Sequence, residues 1–195
     1  MWHPPALVEG CTLLSRAAAS RWCWWHLPTP PARNTSLAAL IEDEPTGVTW
    51  HTPAETQYLL DMMTDVNRKK VDAARQTGER VVGTIYRRTR TGPDGIKRQR
   101  AEVRCDQIAG CLRTPAGGSS RQTIMVVDGQ SVRSRLLSTR EAAALMGLPD
   151  TYILPNRYNE AYKLAGDGVA VPVVRHLAET IFEPVLRRNR LSLVA

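Results

Sequence analysis

The sequence predicts an α+β fold, with helices and strands in separate stretches of the chain. Three observations predict it. Two capping boxes, Thr52 with Glu55 and Ser138 with Glu141, mark helix starts on either side of the middle third. Between them the periodicity changes to that of strands, punctuated by two turn signals, Pro93-Asp94-Gly95 and Asp128-Gly129. Near the C-terminus Val173, Val174, Leu177, Ile181 and Leu186 recur at roughly helical spacing.

The elements follow in order. Residues 1–35 hold Trp2, Trp22, Trp24 and Trp25, bracketed by Pro4, Pro5, Pro28, Pro30 and Pro31. Prolines at that density argue against one regular element, and the indoles need a surface to cover, within this chain or on another. Thr52 caps a helix with Pro53 in its first turn and an apolar stripe of Tyr58, Leu59, Met62 and Met63. A second helix runs from Asp65 to Gln76 and stops at Gly78. Residues 80–90 and 96–104 read as a basic β-hairpin, and residues 122–127 as a strand turning at Asp128-Gly129 into a short strand through Val132. A short helix over Ala142 to Met146 ends at Gly147, with Pro149 just beyond. The segment Val169 to Leu186 reads as a helix that tolerates Pro172 in its first turn.

Charge is concentrated. Residues 80–104 carry eight basic and two acidic side chains, which accounts for six of the chain's net +7. Such a stripe is the footprint of a polyanion, because cations near phosphates release condensed counterions. The plainer alternative is a solvated two-stranded face. The loop of residues 112–122 joins flexible glycines to Arg113, Thr114, Ser119, Ser120, Arg121 and Gln122, residue types that read base edges. A phosphate cradle would be another use of such a loop, but the full Gly-x-x-x-x-Gly-Lys pattern is absent. The four cysteines form no Cys-x-x-Cys pair and have no histidine at zinc spacing, so no metal site is expected. No run approaches the ~18 apolar residues of a membrane span. The expectation is a reduced, cytoplasmic, nucleoid-associated protein.

Two longer patterns are more specific. The segment Arg135-Leu136-Leu137-Ser138-Thr139-Arg140-Glu141-Ala142-Ala143-Ala144-Leu145-Met146-Gly147-Leu148-Pro149 resembles the ninth shared motif of the DNA cytosine-5 methyltransferases. Ala161-Tyr162-Lys163-Leu164-Ala165-Gly166-Asp167-Gly168-Val169-Ala170-Val171-Pro172-Val173 resembles the tenth, in the family's order and near its separation. The resemblance is strong over residues 110–185. It implies a small β-rich target-recognition lobe with short helices, and a C-terminal helix belonging to a Rossmann-like methyltransferase domain that depends on S-adenosyl-L-methionine (SAM).

On that resemblance, residues 1–50 are a Trp/Pro-rich linker or junction. Residues 51–155 are the recognition region with the ninth motif, and 156–195 are the tenth motif and the helix that packs on the catalytic lobe. The loop residues Arg113, Thr114, Gly117, Gly118, Ser119, Ser120, Arg121 and Gln122 would face base edges and nearby phosphates. Arg87, Arg88, Arg90, Lys97, Arg98 and Arg100 would lie along the phosphates of double-stranded DNA, which position without specifying. Arg140 and Glu141 would be scaffold. Gly166, Asp167, Gly168 and Val169 would touch SAM. Asp167 stands where the family usually has Asn, and a carboxylate there attracts the cofactor's ammonium but repels its carboxylate.

The family's nucleophile is a cysteine that follows a proline, and none of the 13 prolines here precedes a cysteine. The family's Phe-x-Gly-x-Gly and Glu-Asn-Val segments are also missing. Three situations fit: a subunit completed by a separate N-terminal catalytic half, a truncated reading frame, and a stand-alone DNA-binding or regulatory module. The first predicts an exposed apolar face on the final helix. The module predicts that Val173, Leu177 and Ile181 are buried.

Overall fold

The computed structural model describes residues 3–25, 27–112 and 121–192. Its centre is one four-stranded antiparallel sheet in the order β2-β1-β3-β4, built from β1 (Val81–Thr91), β2 (Lys97–Arg104), β3 (Thr123–Asp128) and β4 (Ser131–Leu136). β1 and β3 are apolar at consecutive positions, because the sheet is covered on both sides. On one face α4 (Pro53–Asp61) and α5 (Asp65–Gln76) bring Leu59, Leu60, Val71 and Ala74 against Ile85, Val103, Met125 and Val127. On the other, α3 (Leu37–Leu40), α6 (Thr139–Leu145) and α7 (Tyr158–Asp167) bring Leu37, Ala142, Tyr162 and Ala165 against Val82, Ile124 and Val126. The expected β-rich lobe is thus a helix–sheet–helix sandwich.

Both capping boxes form as read, at Thr52 with Glu55 and at Ser138 with Glu141. The second helix spans Asp65–Gln76 as expected. α6 ends where Gly147 takes φ +78°, and a Cβ there would lie 2.6 Å from Pro172 Cδ, so the stop also admits α8 (Val171–Leu177) close by.

Other elements depart from expectation. β4 runs on to Leu136, well past Val132, because Ser134 and Arg135 are polar yet buried and so give no strand signal. α7 went unforeseen, although Tyr158, Ala161, Tyr162 and Ala165 carry helical spacing. α3 and α7, set apart from the recognition region by boundaries at 50 and 155, pack on its sheet. The C-terminal helix starts at Val171, and a π-helical turn over Ala178–Phe182 lies between α8 and α9 (Glu183–Ser192).

The chain forms two compact units, residues 31–178 and residues 1–30 with 179–195. The second unit holds α1 (Pro5–Thr12), α2 (Arg16–Ala19) and α9, with Trp22 packed edge-on against Trp24. The dense prolines did not prevent helices there, since Pro5 occupies the first turn of α1. No helix among the described residues is long and apolar enough to cross a membrane.

Both sheet edges are covered in part. On β4, the His51 N–H donates to the Ser134 carbonyl at 2.9 Å and Trp50 bridges Arg135. On β2, the Ala101 N–H donates to the Met62 carbonyl, and Val103 N–H to Asn67 Oδ1, both at 3.1 Å. Backbone groups left open at a sheet edge would otherwise template pairing with another chain.

The sandwich is locked by Arg135 and Glu141, each with a side chain 0% exposed. The guanidinium donates Nη1 to Oε2 at 2.8 Å and Nη2 to Oε1 at 2.6 Å, a bidentate pair. Nη2 also reaches the Glu42 carbonyl at 2.6 Å, and the guanidinium lies 4.9 Å from the centre of the Trp50 ring. The carboxylate accepts further from the backbone N–H of Ser138 and of Glu42, each at 2.8 Å. Glu141 serves the cap as expected, and the arginine that pairs with it is Arg135.

Burial pushes the Glu141 carboxyl up, but hydrogen bonds from Arg135, Ser138 and Glu42 and the Arg135 charge outweigh it and hold it below its ordinary value of 4.5. Its contribution to stability is therefore complete above about pH 4.5 and is lost as pH falls through the lower folded value. Glu141→Gln should cost about 3–5 kcal/mol by stranding a buried guanidinium. Urea unfolding at neutral pH measures that loss, and the variant should lack this part of the wild-type acid limb. Arg135→Leu combined with Glu141→Leu should be less damaging than the two single changes added together.

Candidate nucleic-acid interface

The basic hairpin forms with Thr91 opposite Lys97 and Thr84 opposite Arg104. Since side chains alternate across a strand, its cations divide between faces. Arg87 and Lys97 share the α4/α5 face. Arg88, Arg90, Arg98 and Arg100 share the other, with Arg88 directly opposite Arg100 and Arg90 directly opposite Arg98. Like charges directly opposed destabilise a sheet. Acidic neighbours answer part of the repulsion: Arg90 meets Glu102 at 2.5 Å and Arg98 meets Asp94 at 2.6 Å, while Arg88 stands 3.7 Å from Glu102. Arg87, Lys97 and Arg100 have no ion-pair partner among the described residues.

The six loop residues Arg113, Thr114, Gly117, Gly118, Ser119 and Ser120 lie outside the described residues. The two stalks of that loop, through Leu112 and from Arg121, lie among the described residues. The leading stalk crosses the sheet face that carries Arg88. Gln107, at φ +60°, accepts from the Leu37 N–H at its carbonyl and from the Ala38 N–H at Oε1 (3.1 Å), holding the start of α3. Gly110 then passes so near Tyr86 that a Cβ would fall 1.8 Å from Tyr86 Oη. The trailing stalk meets α7. Arg121 lies with its guanidinium 5.3 Å from the centre of the Tyr158 ring and donates to Asn159 Oδ1. The Gln122 N–H donates to Tyr162 Oη at 3.0 Å.

Gln122 corrects one expectation. Its side chain is directed inward, 3% exposed, with Nε2 on the Ile85 carbonyl at 3.3 Å, so it serves the sheet rather than a base edge. Burial pushes the Tyr158 phenol up, so it stays protonated and donates to the Leu137 carbonyl at 2.7 Å. The sequence reading missed Tyr86, Gly110, Tyr158 and Tyr162. Only the two tyrosines of α7 left a signal, one helical turn apart.

Two open clefts meet at Arg121, His51 and Leu136. One, about 790 Å³, continues along Thr49 and residues 157–160. The other, about 530 Å³, continues along Glu55, Tyr58 and Arg87. Both suit a polar, extended ligand better than a buried small molecule.

Gly166, Asp167, Gly168 and Val169 form the C-terminal end of α7 and the residues after it. Asp167, Gly168 and Val169 are exposed. A Cβ on Gly168 would meet the Leu164 carbonyl at 3.1 Å, so the helix end itself calls for this glycine. These residues line neither cleft. An exposed edge with one carboxylate does not by itself fit a cofactor of nucleoside size, which needs concave walls. No group of three or more His, Cys, Asp or Glu is poised for a metal among the described residues. Burial pushes the Cys105 thiol up, opposite to the shift that activates a nucleophile.

A family description of C-5 cytosine-specific DNA methylases matches residues 25–183, most of the chain and all of the sandwich unit. The chain belongs to that family. Among curated proteins, it is 35% identical over 66 residues to the type II methyltransferase M1.ScrFI of Lactococcus lactis subsp. cremoris, covering 34% of this chain and 17% of that protein. It is 37% identical over 57 residues to M.SsoII of Shigella sonnei (29% and 15%) and 41% over 56 residues to M.MspI of Moraxella sp (29% and 13%). The aligned stretch thus spans no more than 17% of these type II methyltransferases. No solved structure matches the chain.

The close approach of Gly110 to Tyr86 yields a check on the leading stalk. Gly110→Ala should lower the melting temperature, and Tyr86→Leu in the same chain should recover much of the loss. Thermal denaturation of the two single variants and the double variant measures the coupling.

Proposed function

We propose that this chain is the target-recognition and C-terminal portion of a SAM-dependent DNA cytosine-5 methyltransferase. It binds duplex DNA and completes the methyl-transfer site together with a separate N-terminal half carrying the Pro-Cys nucleophile. The observation that carries the reading is the pair of opposed arginine pairs, Arg88 with Arg100 and Arg90 with Arg98, on the face crossed by the loop's leading stalk. A fold tolerates such repulsion where an anion relieves it, and the phosphates of DNA are the anion this family acts beside. Arg87 and Lys97 extend the contact from the opposite face, and residues 113–120 supply the base-reading tip. When SAM is bound in the assembled enzyme it supplies the methyl group. Gly166 to Val169 would form one edge of its pocket, and the other walls would come from the Rossmann-like lobe of the partner.

The apolar surface of α8 supports a partner. Of the three residues that a stand-alone module would bury, Val173 is 53% exposed and Leu177 and Ile181 are only half-buried, with Val174 beside them 48% exposed. A DNA-binding protein that acts without methyl transfer is the alternative, and this surface weighs against it.

Labelled SAM and duplex DNA test the proposal. Transfer should be undetectable with this chain alone and appear when a Pro-Cys-bearing N-terminal half is added. Transfer by the chain alone would overturn the proposal, because one of its own cysteines would then be the nucleophile. In duplex-binding titrations Arg88→Gln and Arg100→Gln should each weaken binding on all sequences and reduce the slope of log K against log salt by about 1. An unchanged slope in both would remove the phosphate role from this face.

A further inference from the structure

We infer that Arg121 is a positioning residue, one that fastens the trailing stalk of the recognition loop to the first turn of α7 instead of contacting DNA. The inference rests on the DNA-recognition reading above and reassigns one of its loop residues. Arg121 lies two residues before the buried start of β3 at Thr123. Its guanidinium is already engaged twice, by the Tyr158 ring 5.3 Å away and by Asn159 Oδ1. Its Nε is buried without a hydrogen-bond partner among the described residues.

The neighbouring residue is bound to the same helix. Gln122 gives its N–H to Tyr162 Oη, one turn beyond Tyr158, and its side-chain amide to the Ile85 carbonyl. Two successive positions of the stalk are therefore clamped to one helix and one strand. The helix cannot yield easily, because the Tyr158 and Tyr162 rings stack at 5.8 Å with 14° between planes, and Tyr158 Oη is tied to the Leu137 carbonyl. Leu137 directly precedes Ser138, the cap of α6. The angle at which the loop leaves the sheet is thus set by the same residues that join α6 to α7. At its far end, ~15 Å along the axis for ten residues, α7 reaches the Gly166-Asp167-Gly168 segment. Base recognition and the cofactor-side motif are connected by one rigid element.

The decisive comparison is Arg121→Lys with Arg121→Gln and Asn159→Ala, all in the full chain. Lysine keeps the charge and loses the planar stacking and the directed N–H. If Arg121 positions, amide exchange across residues 111–123 of the free chain should rise about tenfold in all three variants, as loss of a cation–π contact with a hydrogen bond implies. Lysine should then rescue nothing. The salt slope of duplex binding should stay at the wild-type value in Arg121→Gln, while enrichment of a preferred sequence from a random duplex pool falls.

If Arg121 neutralises a phosphate, the slope drops by about 1 in Arg121→Gln and is restored in Arg121→Lys, which overturns the inference. Unchanged exchange in all three variants overturns it equally. A wild-type chain that binds no duplex sinks the DNA-recognition reading instead, and the exchange experiment still decides the role of Arg121.

Discussion

The buried pair of Arg135 and Glu141 is the constraint on which the sandwich depends. It ties the last strand of the sheet, the cap of α6 and the segment at Glu42 to one bidentate contact. Two charges taken out of water cost several kcal/mol each, and only near-complete hydrogen bonding offsets that. The Glu141 carboxylate accepts four hydrogen bonds: two from Arg135, one from the Glu42 N–H, and one from the Ser138 N–H that closes the capping box. Arg135 still leaves Nε without a hydrogen-bond partner among the described residues, close to the Trp50 ring. Such an arrangement specifies geometry more than it adds stability. It explains why one motif combines an arginine on a strand with a glutamate in a helix six residues later.

Burial on both faces of the sheet has a consequence for the interface. β1 is apolar and covered through Ile85 and then exposed and basic from Arg87 to Thr91. One strand therefore belongs to the core at its first half and to solvent at its second. The rigid half fixes where the charged half projects. Both loop stalks leave from the junction between these halves, beside Tyr86 on one side and Ile85 on the other. Functional loops commonly stand on a scaffold of this kind, which lets their tips vary while the base stays put.

Much of the fold is legible in the chain. Caps, turns and the long helix α5 follow from residues within a few positions of each other, where chemistry acts locally. The two methyltransferase-like motifs are linear patterns as well, and the family match over residues 25–183 agrees with them. What was not legible involves contacts across long separations. Arg135 gives no local sign of burial until Glu42 and Trp50 are placed beside it. Gln122 reads as a base-contacting amide until Ile85 lies 3.3 Å away. The six candidate phosphate contacts of the hairpin read as one stripe, and only the register divides them into four arginines on one face and Arg87 with Lys97 on the other.

The sequence by itself determined the local grammar: where helices start, where the hairpins turn, and which family the motifs belong to. Those are properties of neighbouring residues and survive without a fold. The tertiary structure decided which arginine pairs with Glu141, which loop residues turn inward, and which helix holds the loop. These depend on burial and strand register, and a polar side chain gives no local sign of either until the rest of the chain has packed around it.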